Sequence, residues 1–463
     1  MTGKVLFKSV AAFSLAALLW SCEEKRPTWQ EELEKLKEQQ EENGNTEPGT
    51  NPGAPMEATI GQPLPKWGEG YLDIHSINAG RGESTMFIFP DGTTLLIDAG
   101  GAHPAETYDY GKDASQGTPS KPDQYVPSST VISNYVKYYL PDVADGKLDY
   151  AMVSHYHSDH YGVSTTAFPL HSSGKFRVNG IPGVCSYVPV STMIDRGDPK
   201  DPPSSDFMGS ISANYTNYEN FCKWAAGDHG MVREKIRVGA NDQIVMLHKP
   251  SISSNFEVRN IAGGGYVWTG TGTASATLLP STAELIAKGS GYDGQVGENV
   301  MSLALHITLG RFDYFTAGDI QYNGRSTYPY KDIEAPIAKV MGEVDGMKAC
   351  HHCTNNTNSP EMLAVLKPDF LLVSNWRDVQ PRPETVKRFQ KVNPNVRIYS
   401  TNMAEVNKAT LIDGGVALSA FTSMNGHVVV RVYPDGNRYK IFVLDDEDQK
   451  YKVKGIYGPF YSK

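Results

Sequence analysis

Regular patterning begins at Tyr71. Tyr71-Leu72-Asp73-Ile74-His75-Ser76-Ile77 alternates apolar and polar side chains as a half-buried strand does, and Asn78 to Glu83 is a glycine-bearing turn. A second strand is predicted over Ser84 to Phe89, and Asp91-Gly92 is a hairpin turn into a third that ends Ile97-Asp98-Ala99-Gly100. Val131, Ile132, Tyr135, Val136 and Tyr139 recur at helical spacing, so a helix is expected over 128–140, feeding a short buried strand at Leu148 to Val153. From Gly162 to about Gly297 the periodicity fades into Ser, Gly, Pro, Asn and Tyr, with one helix expected near Tyr215 to Ala226. A structureless loop of that length is rare in a compact domain, so 163–297 is expected to be an insertion of short strands and active-site loops that choose the substrate. Strands return at 299–309 and 312–319, followed by a helix and the segment Met347-Lys348-Ala349. Helices at 360–366 and 384–392 then alternate with strands at 370–374 and 396–400. A final hairpin, 426–433 and 439–444 around Asp435-Gly436, is expected to close one sheet. No internal repeat is evident.

Upstream of this pattern, Lys4 and Lys8 precede an apolar run from Val10 to Trp20, too short to span a bilayer comfortably and shaped like a signal-peptide core. The run ends Leu18-Leu19-Trp20-Ser21-Cys22, which resembles the lipobox of bacterial lipoproteins; a plain secretory peptide is the other reading. Glu23-Glu24 resembles the acidic export tag of surface lipoproteins. These likenesses imply a lipid anchor at Cys22 and a place in the cell envelope, at the outer membrane of a Gram-negative bacterium. Residues 28–43, with Glu31 and Lys35 at i,i+4, read as a short exposed helix, and 45–65 as a flexible spacer. The expected division is therefore a signal peptide over 1–22, a helix and tether over 23–68, and one catalytic domain over 69–463. Sparse cysteines (Cys185, Cys222, Cys350 and Cys353 besides Cys22) imply no disulfide framework.

Composition narrows the function. The chain has 463 residues, 40% hydrophobic, with 44 Gly and 25 Tyr, as in a soluble protein rich in strands and turns. Its net charge of −9, from 43 basic and 52 acidic residues, argues against a stable nucleic-acid complex, which needs a concentrated basic surface. A small phosphoester substrate stays open, because bound cations supply local positive charge themselves.

The candidate chemistry is concentrated in Ser154-His155-Tyr156-His157-Ser158-Asp159-His160-Tyr161-Gly162, four metal-ligand types in six residues just past a strand. Successive side chains point to opposite faces of a strand, so His160 joins His155, His157 and Asp159 only if the chain turns over the metal; His155 and His157 then serve one ion, Asp159 and His160 a second. Imidazole and carboxylate suit zinc. Asp319 ends a later strand, and Cys350-His351-His352-Cys353 follows another.

Together these pieces resemble metallo-β-lactamase-fold metallohydrolases, in particular the branch containing the extracellular domain of the competence protein family for DNA uptake. That branch has a Val-Gly-Gln-Gly-Asp turn where this chain has Ala79-Gly80-Arg81-Gly82-Glu83, and an Asp-x-Gly strand end matching Asp98-Ala99-Gly100. Its Asn-x-x-Ser-Leu element is similar to Asn299-Val300-Met301-Ser302-Leu303, and its His-His-Gly-Ser element to His351-His352. The resemblance implies an α/β fold, an αββα sandwich of two mixed sheets flanked by helices. It implies two Zn2+ ions, with Mn2+ or Fe as alternatives, held by His155, His157, Asp159, His160, a bridging Asp319 and His351. Asp159 and Asp319 are then expected to orient a metal-activated water and take its proton. Asp98, His352, Asn299 and Arg382 are expected to support the ligands or meet the substrate.

The departures are specific. The third His of the first site has no obvious source; His171, His229, His248 and His306 are available, none in a Gly-His-x-x-Gly context. Cys353 replaces a Gly, and Cys350 with Cys353 leaves half a zinc knuckle or a disulfide open. Arg382-Pro383 stands where relatives carry His-Pro, and Arg382 either contacts an anionic substrate or is a solvated helix-start residue. The branch also includes cell-surface phosphorylcholine esterases, which favours hydrolysis of a phosphodiester in a small molecule or envelope polymer. The alternatives are another ester, a thioester or a lactam on the same fold, or a surface binding lipoprotein with a degenerate metal site.

Overall fold

The computed structural model describes residues 57–101, 118, 121–122, 126–199, 213–277, 279–280, 297–322 and 329–463. The expected signal peptide, the helix over 28–43 and the first part of the spacer lie outside the described residues.

The first sheet is built from β1 (Leu72–Ser76), β2 (Thr85–Ile88), β3 (Thr94–Ile97), β4 (Leu148–Met152), β5 (Val190–Asp195) and β6 (Val232–Lys235). The second takes β7 (Phe256–Gly263), β8 (Tyr266–Trp268), β9 (Ser275–Thr277), β10 (Ala304–Leu309), β11 (Phe312–Ala317), β12 (Gly346–Lys348), β13 (Phe370–Val373), β14 (Arg397–Ser400) and β15 (Phe421–Ser423). The chain then returns to the first sheet with β16 (His427–Val432), β17 (Arg438–Leu444) and β18 (Val453–Tyr461). The orders are β18-β17-β16-β1-β2-β3-β4-β5-β6 and β15-β14-β13-β12-β11-β10-β7-β8-β9. Each sheet passes from an antiparallel meander to a parallel run, β3 to β6 in one and β11 to β15 in the other. The two sheets share a plan that no sequence repeat betrays.

Parallel neighbours need crossovers, and helices supply them. They are α1 (Ser128–Tyr139), α2 (Ser158–Tyr161), α3 (Gly180–Tyr187) and α4 (Ala213–His229) for the first sheet. For the second they are α5 (Glu334–Ala338), α6 (Pro360–Leu366), α7 (Pro383–Val392) and α8 (Glu405–Asp413). Period-2 alternation then sorts side chains between layers. On β13, Phe370 and Leu372 enter the core between the sheets with Leu72, Ile74, Phe87, Leu305 and Val430, while Leu371 and Val373 pack under α6 and α7 against Met362, Leu363 and Phe389. On β1, Asp73 and His75 point the other way, toward α1, where His75 Nδ1 meets the Tyr135 hydroxyl at 2.9 Å. This is an α/β sandwich of two mixed sheets flanked by helices. Among the described residues no helix is long and apolar enough to cross a membrane.

Two expectations change. The region 163–297 contributes β5 and β6 to one sheet and β7 to β9 to the other, so it completes the sandwich instead of interrupting it. Three of these strands, β6, β8 and β9, are short or at an edge and were illegible for that reason: β6, Val-Arg-Glu-Lys, is half-buried to exposed throughout and carries no apolar alternation. The spacer ends earlier than Pro65, because the Gly61 N–H donates to the Val453 carbonyl and the Leu64 N–H to the Tyr451 carbonyl.

Candidate metal centre

The residues with metal-binding chemistry sit where strands end: Asp98 after β3, the 154–161 segment after β4, Asp319 after β11 and 350–353 after β12. Carboxyl ends of parallel strands form the crevice in which open α/β sheets bind ligands. After Met152 the chain leaves the sheet, and the Ser154 N–H and hydroxyl both donate to Asp98, at 2.7 and 2.6 Å. His155 and His157 lie on the extended part. One helical turn, α2, begins at Ser158 and carries Asp159 and His160 back over the centre, so the chain turns as the spacing requires. Gly100 makes the turn possible: a Cβ there would lie 1.6 Å from the Asp159 carbonyl oxygen. That carbonyl accepts the Glu83 N–H at 2.9 Å, and the His160 carbonyl accepts the Ala99 N–H at 2.8 Å.

Asp319 is the hub. Its Oδ1 is 3.3 Å from His160 Nε2, and its Oδ2 is 3.8 Å from His155 Nε2, 3.5 Å from His351 Nε2 and 3.6 Å from His352 Nε2. His155 Nε2 is 3.0 Å from His157 Nδ1, and His352 Nε2 is 3.3 Å from Asp159 Oδ2. Two groups able to hold a metal ion follow, His155 with His157 and Asp319, and His160 with His352, Asp319 and Glu83. The outer nitrogens are tied down. His160 Nδ1 donates to Asp98 at 2.8 Å and His352 Nδ1 to the Ser374 carbonyl at 2.7 Å, so both rings present Nε2 inward.

The structure places His352, rather than His351, against Asp159. His351 is half-buried on the open side of the centre, with Asn299 Nδ2 3.5 Å from its Nδ1. His351, His352 and Cys353 have φ of 48°, 53° and 61°, three successive residues in the left-handed region. Each L side chain there costs about 1–2 kcal/mol, and such strain is typical of residues held for function. Cys353 therefore keeps a backbone conformation that glycine adopts most readily. Cys350 and Cys353 are free buried thiols whose pKa burial raises, Cys353 to about 12, and they are not joined in a disulfide.

Burial and charge set the ionisation. Burial holds the His155 imidazole well below the usual value and therefore neutral. Burial also disfavours charge on His160 and His352, but Asp319 with the other carboxylates outweighs it and raises both. Burial opposes ionisation of Asp159 and Asp319 as well; the surrounding imidazoles overcome it and hold both carboxyls below their ordinary range.

Two residues of the centre were not anticipated. Glu83, in the first turn, is buried with its Oε2 3.1 Å from Lys348 Nζ and 3.6 Å from His352 Nδ1. Lys348, at the end of β12, donates to the carbonyls of Ala317 (2.6 Å), Gly318 (3.4 Å) and Ala349 (3.3 Å). Their signals were a carboxylate in a Gly-Arg-Gly-Glu turn and a lone Lys in an apolar strand just before the His pair. The four spare histidines lie elsewhere. His171 stacks on Phe176, His229 packs on Trp224, His248 is 3.2 Å from Asp149, and His306 is 2.8 Å from Asp313. Arg382 opens α7, with its backbone N–H donating to the Cys353 carbonyl at 2.9 Å.

The residues fit a pair of cations. Asp159 Oδ1, His160 Nε2, Asp319 Oδ1 and His352 Nε2 are buried without a hydrogen-bond partner, and buried polar atoms are seldom left so. The donors are imidazole nitrogens and carboxylate oxygens, the set preferred by Zn2+ and compatible with Mn2+ or Fe.

No family model matches the chain, and no curated protein matches it. Among solved structures, a metallo hydrolase from the hyperthermophilic archaeon Ignicoccus hospitalis, Igni18, is similar at 10% identity and a TM-score of 0.30, covering 78% of this chain and 98% of that one. A protein of unknown function from Enterococcus faecalis is similar at 11% identity and a TM-score of 0.25, covering 76% and 73%.

Proposed function

We propose that this chain is a metal-dependent hydrolase in which Asp319 would help hold each of two metal ions. The observation that carries this reading is the convergence of orphaned, buried nitrogen and oxygen atoms at the strand ends. His155, His157 and Asp319 would hold one ion; Asp159, His160, His352 and Asp319 the other. Bound there, divalent ions supply Lewis acidity and lower the pKa of water toward about 7. The chain's own groups do the rest. Asp98 and the Ser374 carbonyl fix two imidazoles, and Asp159 keeps Oδ1 free to accept a proton from water. Substrate would enter on the side where His157, Asn299 and His351 are half-buried.

A phosphodiester is the favoured substrate, on the resemblance of 79–83 and of His351-His352 to the competence branch. Purified protein should contain close to two metal ions per chain and turn over a chromogenic phosphodiester faster than a β-lactam, with turnover lost in Asp319→Ala. Metal-free protein inert toward both substrates would leave a binding protein as the reading. The envelope location rests on Lys4, Lys8, the apolar run and Cys22. Fatty-acid labelling should therefore tag the wild-type chain and miss Cys22→Ala, with the variant released from membranes; equal labelling would refute it.

A further inference from the structure

We propose that the tandem His351-His352 is divided between the two ions, His352 serving the ion of Asp159 and His160, and His351 completing the ion of His155 and His157. The inference rests on the two-metal reading above and supplies the third imidazole that the spare histidines do not.

Three observations support the division. His351, His352 and His155 all bring Nε2 to the same oxygen of Asp319, at 3.5, 3.6 and 3.8 Å, but His352 Nε2 also meets Asp159 Oδ2 at 3.3 Å. Consecutive left-handed residues turn the two side chains apart: the rings are inclined by 64° with centroids 6.0 Å apart, His352 buried and His351 on the half-buried side that His157 shares. The third concerns Asn299, whose Oδ1 is buried and unpartnered while its Nδ2 faces His351 Nδ1. Amide orientation is assigned from partners. Exchanging the two amide atoms gives the orphaned oxygen the Nδ1–H of His351 and leaves the Nε2 lone pair aimed at Asp319, the arrangement that orients a metal-ligating imidazole. His171, His229, His248 and His306 are engaged elsewhere; His103 lies outside the described residues.

The test is Zn2+ titration of the metal-free, detergent-solubilised full chain against a chromophoric chelator, with circular dichroism to verify folding. Wild type should bind two equivalents. His351→Ala should keep one tight equivalent and weaken the other by more than the about 10–100-fold that loss of a supporting group costs. The double variant His157→Ala with His351→Ala should still bind one, because both changes strike one ion, whereas His352→Ala with His351→Ala should bind none tightly. Two unchanged equivalents in His351→Ala, or none in the His157→Ala double variant, would overturn the division. Failure of wild type to bind Zn2+ would instead strike at the two-metal reading itself.

Discussion

At Lys348 one buried ammonium joins three loops: the carbonyls of Ala317 and Gly318 precede Asp319, the carbonyl of Ala349 precedes the His pair, and Glu83 belongs to the first turn. Lys348→Met removes the clamp and strands the Glu83 carboxylate in the interior. Breaking a buried pair from one side costs about 3–5 kcal/mol. Urea unfolding should record a loss of that order, and adding Glu83→Gln should restore part of it; no recovery would mean that the two groups are not coupled. Glu334 poses a different problem. Burial raises its carboxyl to about 7, against the N–H groups of Asn358 and Ser359 that favour the charged form. A folded-state pKa above the unfolded one means that the native chain holds the proton more tightly. The contribution of Glu334 is therefore fully present below about 4.5 and is lost as pH rises through about 7, up to about 3 kcal/mol in all. The difference in unfolding free energy between wild type and Glu334→Gln should slope downward across that window; a flat difference would refute it.

Among the elements, the segment from β4 through α2 depends on what lies beneath it. The end of β3 and the Gly82-Glu83 turn hold the backbone of Asp159 and His160, with Gly100 leaving no room for a side chain. Gly100→Ala should push α2 outward and cut Zn2+ affinity by at least about 100-fold, since displaced ligands cost more than lost supporting groups. Far-ultraviolet circular dichroism should stay close to wild type, because the strands themselves keep their partners. Zn2+ affinity equal to wild type would mean that the loop tolerates the shift. The same logic explains the strain after β12. Three left-handed residues persist because Asn358 fixes the loop, its side chain bonding both the N–H and the carbonyl of Cys350.

Across the whole molecule the candidate ligands come from both sheets, His155 to His160 from the first and Asp319 with His352 from the second. Metal bound there would cross-link the sandwich at one edge. Because a ligand that binds only the native state stabilises it by mass action, free Zn2+ at a thousandfold excess over Kd is worth about 4 kcal/mol. Chelation should lower Tm by several degrees in wild type and not in Asp319→Ala; equal shifts would place the metal elsewhere. The sequence by itself determined the outer terms of this protein. Period-2 alternation and helical spacing are local, so β1 to β4, α1, α6, α7 and the closing hairpin were legible, and the His-x-His-x-Asp-His spacing marked a candidate metal loop before any strand was paired. Only the tertiary structure decided that 163–297 completes both sheets, because edge strands such as β6 carry little apolar signal of their own. It also decided that Glu83 and Lys348 join the centre and that His352 faces Asp159, because those contacts cross between chain segments far apart in sequence and depend on left-handed backbone that no side-chain pattern announces.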